Sequence, residues 1–297
     1  MDINSLDTEQ SNQASAHIDS ASTQEIVRII NQEDHKVAPA VQKVLPQIAQ
    51  AVDMIYQKMH TGGRLIYCGC GTSGRLGVLD AVECPPTYGV PPELVVGLMA
   101  GGAPAFVKAV EGAEDDRQMG EADLRAIQFS AKDALVGIAA SGRTPYVLGA
   151  MDYATSLGAP VIALTCCSNS EMSRCAQLTI NPICGPEVIT GSTRMKSGTA
   201  QKMVLNMLST AVMIKLGKVY GNLMVDVKAT NEKLVLRSIA IVRQATGASE
   251  AQASDAIRRC GGSCKTAIVM LLCGLSPQAA EAALAKADGH IARVLNQ

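Results

Sequence analysis

A chain of 297 residues has room for a full core and a small second domain. Its 47% hydrophobic and 18% charged residues fit a packed globular protein and exclude a disordered one. With 26 basic and 27 acidic residues the formal net charge is −1, so no basic field draws nucleic acid or an anionic membrane, and any anion is recognised locally. The absence of Trp and the presence of only 2 Phe argue against stacking platforms for bases.

The first residues, Met1-Asp-Ile-Asn-Ser-Leu, are polar and acidic and lack the basic and apolar regions of a secretion signal. Residues 1–22 as a whole are expected to form a mobile arm or a loop near substrate. A helix is expected at 23–31 and a long amphipathic helix over 37–59, where Val41, Val44, Leu45, Ile48, Val52 and Ile55 recur at helical spacing. Strands are expected at 64–68, 94–99, 134–139 and 160–165, with a short fifth at 178–180. Helices are expected after Thr72, over 114–128, over 145–157 and over 195–215. Strands alternating with helices imply parallel pairing, because a short turn cannot join parallel strands. Residues 205–216 are interrupted by Ser209, Thr210 and Lys215 and do not make a membrane span. After about residue 225 the chain becomes Ala-rich, and short helices near 249, 263–272 and 277–284 each have a Ser that can cap them.

This reading yields an α/β fold with a small C-terminal all-helical domain. The expected boundary places N-terminal helices and a sugar-phosphate domain in 1–228, with its core at about 55–218, and a helical bundle in 229–297. The ten Cys show no C-x-x-C spacing, and His17, His35, His60 and His290 are scattered. Neither a metal site nor a redox cofactor is expected, the cysteines are read as structural thiols, and the location as cytoplasmic.

Four turns carry the chemistry. Gly69-Cys-Gly-Thr-Ser-Gly-Arg75 and Ala140-Ser-Gly-Arg-Thr-Pro145 each follow an apolar strand and open a helix, the arrangement that offers backbone N–H groups and hydroxyls to an anion. Gly71, Thr72 and Ser73 in the first, and Ser141, Gly142, Arg143 and Thr144 in the second, are the candidate phosphate ligands. Spacing alone leaves an ordinary capped turn equally open. The first turn also fits G-x-G-x-x-G, yet the second strand ends Leu98-Met-Ala-Gly-Gly102 without the acid that would hold a nicotinamide cofactor's ribose. Glu111-Gly-Ala-Glu-Asp-Asp116 supplies Glu114 beside a helix start, where Asp115 and Asp116 read as solvated acids. Glu83, in Asp80-Ala-Val-Glu-Cys-Pro-Pro, is expected at a helix end stopped by two prolines. Gly191-Ser-Thr-Arg-Met-Lys-Ser-Gly-Thr199 places Ser192 and Lys196 at the opening of a long helix, beside an anion or in a solvated turn. Asn222, Asp226 and Asn231 read as hinge residues at the domain junction.

Taken together, Ile66 to Gly77, Glu83-Cys-Pro-Pro-Thr-Tyr-Gly89, Glu111 to Asp115, Ala139 to Tyr146, Gly185 to Lys196 and Asn222-Leu-Met-Val-Asp226 resemble the N-acetylmuramic acid 6-phosphate etherases, a branch of the SIS (sugar isomerase) fold. The resemblance covers essentially the whole chain. It implies a three-layer sandwich around a five-stranded parallel sheet, a homodimer and a C-terminal helical domain. It further implies cleavage of a lactyl ether to N-acetylglucosamine 6-phosphate and D-lactate in cell-wall recycling, with Glu83 as proton donor and Glu114 as a second acid/base. Cys70 stands where the family commonly has alanine, a small-for-small change. The rival readings are a non-catalytic sugar-phosphate regulator and an aldose–ketose isomerase of the same fold.

Overall fold

Five short apolar runs, almost wholly without charge, form one sheet, as strands covered on both faces should. In the computed structural model, which describes residues 7–108, 110–227 and 232–296, they are β1 (Leu65–Gly69), β2 (Val95–Met99), β3 (Ala134–Ile138), β4 (Val161–Leu164) and β5 (Leu178–Ile180). The first six residues of the expected arm, Asn231 and the expected boundary at 228/229 lie outside the described residues. The strand order is β2-β1-β3-β4-β5, every neighbouring pair parallel. The carboxyl ends are level, with Gly69 opposite both Met99 and Ile138. From β1 the chain moves outward to one side through β2, then returns to β1's other flank with β3. The crevice between β1 and β3 is therefore the topological switch point.

The helices that begin in the same compact unit as the sheet are α1 (Thr23–Asp34), α2 (Val37–Gln42), α3 (Leu45–His60), α4 (Gly71–Tyr88), α5 (Gly102–Val107), α6 (Arg117–Ala126), α7 (Pro145–Ser156), α8 (Glu171–Cys175) and α9 (Lys196–Lys215). Side-chain alternation along β1 builds the layers. Ile66 and Cys68 join Leu124 of α6 and Val147 and Met151 of α7 in one buried cluster. Tyr67 points the other way, and its hydroxyl donates to buried Asp80 of α4 at 2.9 Å. Asn206 and Ser209 of α9 donate to the same carboxylate at 2.6 and 3.1 Å, so one buried acid joins sheet and two helices with its lone pairs satisfied.

Several expectations are corrected. The helix over 37–59 is two helices, because Pro46 has no N–H to continue the ladder and instead occupies the first turn of α3. Pro85 and Pro86 do not end α4, which runs on to Tyr88; the carbonyls of Ala81 and Val82 simply lose their helical donors. The helix over 114–128 begins at Arg117, because the Asp116 carboxylate caps it by accepting the Met119 N–H at 3.0 Å. Residues 7–22 carry two short 3-10 turns, and Thr8, Asn12 and Ser15 of this segment are buried.

The second compact unit comprises Glu83–Pro92 and Thr210–Gln297. A small antiparallel hairpin, β6 (Val219–Tyr220) and β7 (Leu223–Met224), precedes α10 (Glu232–Thr246), α11 (Glu250–Arg259), α12 (Cys264–Cys273), α13 (Pro277–Lys286) and α14 (Ile291–Leu295). Val242, Ala253, Ala267, Ile268 and Ala280 meet in its core. Ser249, Ser263 and Ser276 cap α11, α12 and α13, the first in a reciprocal capping box with Gln252. Asp226, expected at a hinge, is instead anchored by Lys265 at 2.6 Å and Lys218 at 3.1 Å. Gly89 lies so close to this segment that a Cβ there would sit 2.1 Å from the Asp226 carbonyl oxygen. Among the described residues, no single helix is long and apolar enough to cross a membrane.

Candidate active site

Three of the four glycine-rich turns emerge from the sheet's carboxyl ends or meet there, and the fourth joins them through α9. Gly71 opens α4 directly after β1, and the first N–H groups of this helix have no acceptor within it. A cavity of about 220 Å³ lies at this point, lined by Cys70, Gly71, Arg75 and Met99 on one side and Gly112 and Glu114 on the other. The Arg75 guanidinium closes its wall by donating to the carbonyls of Ala105 at 2.7 Å and Phe106 at 2.8 Å. Burial first, and then the nearby Glu114 carboxylate, push the Cys70 thiol up to about 12. Cys70 is therefore a neutral wall of the cavity and no nucleophile.

Glu114 is held by its backbone: its carbonyl accepts the Tyr146 N–H at 3.0 Å, which links the acidic turn to the start of α7. Its carboxylate remains exposed beside the cavity. The 140–144 turn is shaped by Gly142, at φ +65°, where a Cβ would come within 2.4 Å of the Ser170 Cβ. The Gly142 carbonyl accepts the Met172 N–H at 2.9 Å, and Ala140's accepts the Cys166 N–H at 2.9 Å. Ser141, Arg143 and Thr144 stay half-buried, and the Arg143 guanidinium makes no ion pair among the described residues. Thr144 is the N-cap of α7 without capping it, and its hydroxyl has no partner among the described residues.

The 191–199 turn reaches the α4 start directly. The Gly198 backbone lies against Thr72, a Cβ at 198 being 3.4 Å from the Thr72 methyl. The Ser73 hydroxyl donates to buried Gln201 of α9 at 2.9 Å, so toward a ligand Ser73 offers only lone pairs. Thr72 and Ser192 are half-buried and their hydroxyls have no partner among the described residues. Lys196 departs from its expected place: it is 1% exposed, and its ammonium is taken by Glu33 at 2.6 Å instead of facing an anion.

Glu83 is exposed on α4 and belongs to the second unit, whereas Glu114 belongs to the first. The cavity brings Glu114 together with Gly71, and its lining does not include Glu83. Gln201, Glu33 and Glu187 were not singled out from the sequence. Gln201 directly follows Ala200 of the apolar stripe in α9 and reads as one of its polar neighbours, and its partner is 128 residues away. Among the described residues no group of three or more His, Cys, Asp or Glu side chains could hold a metal.

Comparison with known proteins bears on the whole chain. The profile of the glucokinase regulatory protein N-terminal SIS domain matches residues 47–155, the SIS domain profile 115–211, and that of the C-terminal lid domain of glucokinase regulatory protein 221–260. The chain is 59% identical over 296 residues to an N-acetylmuramic acid 6-phosphate etherase of Aliivibrio fischeri strain MJ11, covering 100% of this chain and 99% of that protein. It is 56% identical, at the same coverage, to the protein of that name from Vibrio vulnificus strain YJ016. Among solved structures, phosphoheptose isomerase from Neisseria gonorrhoeae matches with a TM-score of 0.51 at 19% identity, covering 64% of this chain and 98% of that one. At that identity the likeness concerns the fold alone.

Proposed function

The chain belongs to the N-acetylmuramic acid 6-phosphate etherases, carbon–oxygen lyases on an SIS fold; from that premise we propose that it releases D-lactate from the 3-ether by elimination followed by addition of water. An alkyl ether resists simple hydrolysis at neutral pH. Opening the sugar ring exposes an aldehyde at C1, which makes the C2 hydrogen acidic and places the lactyl oxygen β to the carbonyl. Glu114 takes the C2 proton, the C2 electron pair forms the double bond to C3, and the C3–oxygen bond breaks. Glu83 supplies the proton that departs with lactate. Water then adds at C3 and a proton returns to C2, giving N-acetylglucosamine 6-phosphate. Each positioned proton transfer is worth about 10²–10⁴-fold.

The observation that carries the site reading is the cavity that sets Glu114 beside the open N–H groups of α4, within one small volume at the carboxyl ends of β1 and β2. Thr72, Ser141, Arg143, Thr144 and Ser192, with Gly71 and Gly142 backbone, are the proposed sugar-phosphate ligands; Ser73 accepts from a sugar hydroxyl. Lys196 acts from below the turn through its ion pair. None of the described cysteines is in a disulfide, which suits the reducing cytoplasm where we place the enzyme. We also propose the homodimer that the family resemblance implies, to be checked by sedimentation.

Incubation with N-acetylmuramic acid 6-phosphate should yield equimolar D-lactate, and in heavy water the product should carry deuterium at C2. Lactate without deuterium would remove the elimination route. Binding without turnover would point to a regulator, and ketose formation without lactate to an isomerase.

A further inference from the structure

The 191–199 turn is joined to residues 7–33 by a chain of largely buried polar contacts. Glu33, at the end of α1, is 3% exposed and accepts three hydrogen bonds: from Lys196 Nζ at 2.6 Å, Lys36 Nζ at 2.6 Å and Asn12 Nδ2 at 2.9 Å. Asn12 Nδ2 also donates to the Pro186 carbonyl at 3.0 Å, and the Ser15 hydroxyl to the Val188 carbonyl at 2.7 Å. On the turn's inner side, fully buried Glu187 accepts the backbone N–H groups of Lys196 at 3.0 Å and Ser197 at 2.9 Å. Farther out, Asp7 accepts the Ser168 N–H at 2.7 Å, and Glu9 lies beside Gly191. Residues 7–33 therefore hold the segment 186–197 from outside, while Gly198 and Gln201 set its inner end against Thr72 and Ser73.

We propose that Glu33 is a positioning residue for the sugar-phosphate site, acting through Lys196 and Asn12 to fix the 186–198 turn, whose Gly198 lies against Thr72 at the start of α4. The inference rests on the site reading above. Burial pushes the Glu33 carboxyl up, but hydrogen bonds from Lys196, Lys36 and Asn12 outweigh it and hold the group at about 2, so the tether is charged throughout the working range. An ammonium buried this deeply needs its counter-charge: removing one partner is costly, whereas removing both is tolerated far better. That asymmetry separates positioning from mere stability.

Three variants decide the matter: Glu33→Gln, Asn12→Ala and the double variant Glu33→Gln/Lys196→Met, compared for melting temperature, kcat and KM. Glu33→Gln should raise KM for N-acetylmuramic acid 6-phosphate by about tenfold while kcat changes by less than about threefold, because ground-state placement is lost and the acid and base are not. The double variant should recover most of the melting temperature yet keep the raised KM. A KM that returns together with stability, or that is unaltered in folded Glu33→Gln, overturns the proposal. Should Glu33→Gln fail to fold, Asn12→Ala and the double variant are held to the same criterion. Backbone hydrogen exchange at 192–198 should be faster in each variant and unchanged in α6, and unaltered exchange overturns the tether without reference to activity. A wild-type protein that releases no lactate would instead sink the site reading, and exchange would still decide the tether.

Discussion

Thr72 and Ser73 are neighbours with the same functional group, yet the fold gives them different work. Ser73 donates its hydroxyl hydrogen bond to Gln201, whose carboxamide is buried in α9, while the Thr72 hydroxyl at the same helix start has no partner among the described residues. A phosphate oxygen needs donors, so Thr72→Val should raise KM more than Ser73→Ala does, and the latter should mainly lower the melting temperature. The reverse order would reassign the two. Ser141→Ala should likewise raise KM with kcat little changed, and an unaltered KM would remove it from the phosphate cradle. Glu83→Gln should abolish lactate release while calorimetry still detects substrate binding; full activity would remove Glu83 from the mechanism. Both glutamates could be named from the motifs that surround them. Their neighbours could not: Gln201 lies 128 positions from Ser73, and Glu33 lies 163 positions from Lys196.

At the scale of elements, the chain's own punctuation explains most of what was legible. Strands β1 to β5 are short apolar runs between polar turns, and their positions follow from that contrast alone. Asp116 looked like a solvated acid and is the cap of α6, so Asp116→Ala should cost about 1 kcal/mol, read as a lower melting temperature. No loss of stability would show that the cap is redundant. Periodicity misled where it was read across a proline: the stripe over 37–59 continues in register past Pro46, but the ladder of hydrogen bonds does not. The opposite error occurred in α4, where the prolines looked like a stop although each removes only one donor from a helix already built. Helix α10 went unnamed because buried Ser238 interrupts its apolar stripe; in the structure its hydroxyl donates to the Leu234 carbonyl one turn back at 2.9 Å, so it is buried without an unpaired polar group.

For the molecule as a whole, the buried carboxylate of Glu33 is one acid-labile element, beside Asp133, which burial pushes up but the Arg64 guanidinium also holds below the usual range. The folded value of Glu33, about 2, lies below the ordinary 4.5, so its contribution is complete above about 4.5 and is lost as pH falls toward 2. The melting temperature should decline through that window, and more shallowly in Glu33→Gln/Lys196→Met, where the titrating group is gone. Parallel curves for the two proteins would show that other carboxylates govern acid unfolding. The sequence by itself determined the alternation of strand and helix, hence parallel pairing, and the turns able to meet an anion, because these depend on neighbours within a few residues. The strand order, which makes β1 flank β3 and so brings their turns to one crevice, was decided only by the tertiary structure. So was the burial of Lys196 against Glu33, since the desolvation that forces such a pairing exists only once distant segments have closed around it.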